Sequence, residues 1–229
     1  MKRFYEKAVV EPSSGGYGVV LDGRVLKTPA GAPLALPWRE LAQAIAAEWD
    51  SQQDTVDPRS MPLSRLSSTS IDKIGPERED VVAELLTYAG NDLLCYRVAE
   101  PSDLADRQEE IWQPLLDWAE EFHGVRLHVT SEITHIEQDE KAVKALAGVV
   151  ESFEDLALTA VLELTAATGS LVLALAVAAG RIEAGDAFEI ARLVESYQNE
   201  KWGEDLEAQK RNDALCEDIL AAGRLLQFG

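Results

Sequence analysis

One stretch constrains this chain more than any other. Residues 156–179, LALTAVLELTAATGSLVLALAVAA, carry Glu163 as their only charge. A run of that length is long enough to span a bilayer as a helix. Against a span stand four hydroxyl side chains, the Gly169-Ser170 break, and Glu154 and Asp155 at the entry. No basic cluster is present to orient it. The expectation is two buried helices, or one bent at Gly169, and no membrane insertion. Such a segment needs amphipathic helices around it.

The chain supplies them. Pro37 stands at a first helical position, and residues 38–50 place Trp38, Leu41, Ile45 and Trp49 on one face. The stretch 51–58 reads as a polar linker. Residues 61–74 are rich in small hydroxyl side chains, which suit close packing or helix caps rather than catalysis. Residues 76–89 turn Val81, Val82, Leu85, Leu86 and Ala89 inward. The next helix starts at Pro101-Ser102-Asp103 and ends before Gly124. Its inward face is Leu104, Ile111, Leu115 and Trp118, with Pro114 as a kink site. Asp139 opens a helix to about Phe153. A last helix covers 204–228 with Leu206, Leu215, Ile219 and Leu226 inward. Residues 93–98 read equally as buried strand or helix end, and 125–129 as a short extended piece.

Residues 3–36 follow another rhythm. Strands are predicted at 4–10, 17–21, 24–27 and 34–36, with a hairpin turn at Asp22-Gly23, where glycine accepts positive φ. Gly15, Gly16 and Gly18 suggest a phosphate loop only weakly, because no helix follows at the right distance. Strands first and helices after give an α+β class: a small, mostly β N-terminal domain over 1–60, ending in one helix, and a larger helical C-terminal domain over 61–229.

Charge divides the same way. The net charge of −20 is concentrated after residue 60; residues 1–60 contribute −1 and the remainder −19. That excludes a nucleic-acid or anionic-membrane partner, which needs clustered Lys and Arg, and favours solubility or a basic partner surface. Cys95 and Cys216 stand far apart in no CxxC pair, as in a reducing compartment. The opening residues show neither a secretory run nor the character of an organelle presequence. A bacterial or already processed chain is expected.

Residues 187–203, AFEIARLVESYQNEKWG, read as one amphipathic helix. Ile190, Leu193, Val194, Tyr197 and the stem of Lys201 form a core stripe. Phe188, Glu195 and Trp202, seven residues apart, form a second face. Two readings of that face stand. One is a central helix packed on both sides, with Glu195 paired to Arg192. The other is a recognition surface with aromatic anchors around a charge.

Chemistry is sparse. His123, His128 and His135 lie near Glu132 and Glu137, but without the usual one-helix ligand spacing, so no metal is expected. Glu109-Glu110 and Glu120-Glu121 read as solvated faces. There is no nucleophile elbow, Walker loop or Cys/His pair.

Several strings then resemble one family: KRFYEKAVV, GVVLDGRVLKTP, AAEWDSQQDTV, NDLLCYRVAEP and RLVESYQNEKWG. They are similar to the "ATP-twelve" assembly chaperones, which hold the alpha subunit of the F-type ATP synthase catalytic head. The resemblance implies a β N-terminal domain with a helical C-terminal domain, no catalysis and no cofactor. It implies a bacterial cytoplasmic protein whose eukaryotic relatives occupy the mitochondrial matrix. It implies Glu195 and Trp49 as partner-binding residues, with Tyr197, Gln198, Lys201 and Trp202 as motif members; Phe188, from the second helix face, is expected to add contact area beside Trp202. A monomer with a transient client is expected. The alternatives are a carboxylate-based hydrolase and a permanent structural subunit.

Overall fold

The computed structural model describes residues 2–203 and 206–229, which divide into two compact units. The first comprises residues 1–78, 154–160 and 224–229; the second comprises 79–153 and 161–223. The division expected at residue 60 falls inside the first unit. Small sheet and many helices together make the fold α+β.

In the first unit, β1 (Ala8–Ser13) pairs antiparallel with β2 (Gly16–Leu21), Ala8 opposite Leu21. The other edge of β2 takes β3 (Arg24–Val25) at one end and β4 (Ala35–Leu36) at the other. Asp22 and Gly23, at φ 48° and 81°, make the expected tight turn. The first strand begins at Ala8 rather than Phe4. Residues before it are held by a side chain instead of a ladder: the Asp22 carboxylate accepts the N–H groups of Glu6 (2.7 Å) and Lys7 (3.0 Å). These bonds hold its carboxyl below the ordinary carboxylate range. The glycines of the rejected phosphate loop have a steric role. Gly16 lies so close to β4 that a Cβ there would stand 2.1 Å from the Leu36 carbonyl oxygen.

Helix α1 (Arg39–Asp50) packs on β1 and β2 through Leu41, Ala42, Ile45 and Ala46. It starts two residues later than expected, with Trp38 as its N-cap. The presumed linker after it is structural. Gln52 is buried and donates to the Glu48 carbonyl and to Ser60 Oγ, while its own oxygen accepts the Asp57 N–H. Helix α2 (Pro62–Thr69) begins on Pro62, and its next two N–H groups, from Leu63 and Ser64, both donate to the Glu48 carboxylate at 2.8 Å. A side chain from another helix thus caps it. A π turn, Ser70–Ile74, continues α2. Residues 154–160 and 224–229 complete the unit: Arg78 pairs with Asp155 at 2.5 Å, and Gly229 lies against the Trp38 ring.

The second unit is helical, with α3 (Arg78–Gly90), α4 (Ser102–His123), α5 (Glu140–Glu151), α7 (Leu171–Ala178), α8 (Ala184–Ala191) and α9 (Leu193–Trp202), and with the greater part of α6 (Asp155–Thr168) and α10 (Leu206–Leu226), whose residues 155–160 and 224–226 belong to the first unit. The long apolar run is two helices, α6 and α7, parted at Gly169 (φ 72°). Residues 171–177 are all buried. Among the described residues no helix is long and apolar enough to cross a membrane. The start of α7 is fixed by Asp92, which is fully buried and accepts the Ser170 hydroxyl (2.7 Å) and the Val172 N–H (3.0 Å). Burial pushes the Asp92 carboxyl above its ordinary range, against the pull of these bonds.

Residues 93–98 are neither alternative. A 3₁₀ turn, Leu93–Cys95, is capped by Asp92, and Tyr96 then bridges to Thr130. No strand forms over 125–129; Val125 and Leu127 are buried from an irregular segment. The buried face of α4 centres on Trp112, Leu115 and Leu116, leaving Ile111 and Trp118 half-buried. Gly124 ends that helix at φ 68°. Gly185 lies within α8. In α10, Leu225 rather than Leu226 is buried, Leu215 is half-buried and Ile219 fully buried. The expectations for Glu204 and for the Leu206 side chain lie outside the described residues.

Candidate functional site

The 187–203 stretch is not one helix. Arg192, at φ −93° and ψ 12°, leaves the α region and separates α8 from α9. The break coincides with a change of phase in the buried pattern. Ala184, Ala187 and Ala191 are buried along α8, and Leu193 and Tyr197 along α9. A continuous helix would follow residue 191 with 194 or 195 on the same face. Leu193 lies off that face, and the break falls just before it. The Trp112 indole N–H donates to the Ile190 carbonyl (3.1 Å), occupying one acceptor that a helix end leaves open.

The break changes the second face. Phe188 is half-buried in α8, whereas Glu195 and Trp202 stay two turns apart on α9. Glu195 pairs with Arg192 Nη1 at 3.0 Å, as the first reading of this face has it, yet its side chain is 42% exposed. Trp202 is 78% exposed, far above the ordinary state of that side chain. Gln198 is exposed one turn before it.

Tyr197 and Lys201 turn the other way, toward α4. The Tyr197 hydroxyl donates to Asp103 Oδ1 (2.7 Å), and Lys201 Nζ lies 3.4 Å from Asp103 Oδ2. The Tyr197 hydroxyl, with help from Lys201, holds the Asp103 carboxyl below its ordinary range. Lys201 and Arg107 both stand over the Tyr197 ring, at 5.0 and 5.3 Å from its centroid, and Arg107 also pairs with Glu200 at 2.9 Å. These contacts fix α9 on α4 and leave Glu195, Gln198 and Trp202 toward solvent. The sequence marks Asp103 only as part of a helix start and gives no sign of the contacts made by Arg107, Trp112 and Glu200. Asp103 and Tyr197 are 94 residues apart, and no local pattern links them.

Trp49 belongs to the first unit. It is half-buried, its indole N–H donates to Ser64 Oγ (3.1 Å), and the Tyr5 ring lies tilted against it at 5.6 Å. It forms one wall of a groove of about 500 Å³ in which Asp72 is the one carboxylate among the described residues. An acid/base pair needs two carboxylates in one pocket, so this groove does not supply the hydrolase alternative. The histidines do not converge. His128 approaches Asp139 at 3.4 Å, His135 contacts Tyr96 and Asn91, and His123 packs on Trp118 and Phe122. Among the described residues no cluster of three or more His, Cys, Asp or Glu could hold a metal ion.

Comparison with known proteins gives consistent results. The family model described as ATP12 chaperone protein matches residues 2–120. A crystal structure of Atp12 from Paracoccus denitrificans superposes with a TM-score of 0.95 at 37% identity, covering 99% of this chain and 97% of that one. A crystal structure of an Agrobacterium tumefaciens protein gives 0.95 at 38% identity, covering 99% and 85%. Among curated sequences, the mitochondrial protein atp12 of Schizosaccharomyces pombe is 25% identical over 98% of this chain and 81% of its own length.

Proposed function

Because the chain belongs to the ATP12 chaperone family, we propose that it is an assembly chaperone of the F-type ATP synthase. In this reading it holds the free alpha subunit until the beta subunit takes its place. A lone alpha subunit exposes apolar surface that its neighbour later covers, and such surface aggregates. The holder must cover that surface and then leave, so its contact needs a few anchors and a polar rim rather than a large apolar face.

The observation that carries the reading is Trp202, a large aromatic in water on the same helix as the half-exposed Glu195. Trp202 is the anchor. Glu195, shared with Arg192, meets a basic group of the client and sets specificity. Gln198 adds polar contact, and Phe188 adds area from α8. Tyr197 and Lys201 act by positioning α9 on α4. The role requires no catalysis and no cofactor. A bacterial cytoplasmic monomer fits it, with mitochondrial relatives such as the fission-yeast protein.

The test is capture of the isolated alpha subunit by the full chain. Trp202→Ala should weaken capture by about thirtyfold, the scale of an aromatic hot spot, and Glu195→Lys should weaken it and slow association. Helical circular dichroism should match the wild type in both. Undiminished capture by both variants removes α9 from the interface. Elution as a stable oligomer on gel filtration favours the permanent structural subunit instead.

A further inference from the structure

The groove beside Trp49 plays no part in the reading of α9. Ser64, Ser68 and Asp72 recur every four residues along α2 and the π turn, forming its floor. Serine at 64 and 68, where leucine would fill the space, leaves the groove open. Trp49, Val56 and Met61 give it apolar walls. A volume of about 500 Å³ is that of a ligand site. The π turn is a rare element that often marks function. Asp72 stands on it and is engaged: its two oxygens accept the Thr28 hydroxyl (2.6 Å) and the Ala30 N–H (2.9 Å), pinning the 28–31 turn beside the groove.

The rim reverses the sign of the chain. Lys27, Arg65 and Lys73 are exposed around the opening, against the single engaged carboxylate, on a protein of net charge −20. Neither Lys27 nor Lys73 has an ion-pair partner among the described residues. An acidic ligand is repelled by most of this surface and accepted at this opening. Lys27 and Lys73 come from separate points, the loop after β3 and the π turn. That spread suits carboxylates spaced along a chain, not one headgroup. The Ser68 and Thr69 hydroxyls, which make no hydrogen bond among the described residues, can meet a peptide backbone.

We propose that this groove binds an extended acidic segment of a partner polypeptide, with one bulky apolar side chain seated among Trp49, Val56 and Met61 and its flanking carboxylates on Lys27 and Lys73. The proposal goes beyond the reading of α9 and does not depend on it.

The experiment titrates the full chain into three fluorescein-labelled pentapeptides and follows anisotropy: Glu-Glu-Phe-Glu-Glu, Glu-Glu-Ala-Glu-Glu and Lys-Lys-Phe-Lys-Lys. The first should bind about tenfold tighter than either control, despite the net charge of the protein. Lys27→Glu combined with Lys73→Glu should abolish that preference. Ser68→Leu, which fills the floor from a half-buried position, should weaken binding about tenfold with an unchanged circular dichroism spectrum. Equal binding of the three peptides, or full binding by the double variant, overturns the proposal. So does binding of decanoate with no peptide affinity, which assigns the groove to an anionic amphiphile. Capture of the alpha subunit is scored separately, so loss of either activity leaves the other standing.

Discussion

Replacing Asp92 tests how the apolar core is anchored. Its carboxylate is fully buried and accepts the Leu94 N–H (3.1 Å), the Val172 N–H (3.0 Å) and the Ser170 hydroxyl (2.7 Å). Asp92→Ala strands two backbone donors, at about 1–3 kcal/mol each. The Ser170 hydroxyl can rotate, and it keeps its own role as acceptor for the Leu173 N–H. Removing a buried charge returns part of that loss, since burial outweighs the hydrogen bonds in setting the carboxyl's pKa. The net expectation is a loss of about 2–4 kcal/mol. Asp92→Asn keeps one acceptor oxygen and should fall between. Urea unfolding followed by helical circular dichroism measures both, and a loss below about 1 kcal/mol for the alanine variant refutes the anchoring role.

The same residue predicts a pH slope. Its folded pKa lies above the ordinary 3.8. Between those two values the folded chain binds a proton that the unfolded chain has released. Stability therefore falls as pH rises from the ordinary carboxylate value through the raised one, then levels. Asp92→Asn should lack that component of the slope.

Gly16→Ala places a Cβ 2.1 Å from the Leu36 carbonyl oxygen at φ 136°, and should cost about 3 kcal/mol or more, seen as a lowered unfolding midpoint; a neutral result would mean that β4 does not approach there. Glu48→Ala removes the acceptor from the Leu63 and Ser64 N–H groups and should cost about 1–2 kcal/mol. Amide exchange at those two residues should quicken, and unchanged protection would contradict the cap.

The features legible in the sequence were those with local causes. Gly169 and Ser170 announced the break between α6 and α7, and Asp22-Gly23 announced its turn, because each residue's own backbone preference sets the outcome. The break at Arg192 was hidden. The periodicity fitted one helix well, and only the burial of both Ala191 and Leu193 shows the phase change. The candidate site was half legible for the same reason. Trp202 and Glu195 were readable as an unusual face, but the anchoring of Tyr197 and Lys201 by Asp103 was not, since it joins distant segments. The groove at Trp49 was also invisible: the run of small hydroxyl residues signalled close packing, while the space left at Ser64 and Ser68 arises from what stands opposite them.

The discontinuous make-up of the first unit sets a timetable. Its sheet and first two helices lie within residues 1–78, yet the unit also needs 154–160 and 224–229. A nascent chain halted at residue 160 still lacks Leu225, which is buried in the finished protein, and Gly229, which covers the Trp38 ring. Closing a loop of that span carries an entropic cost and delays completion. The earliest part to leave the ribosome is thus finished only after the helices between have been made.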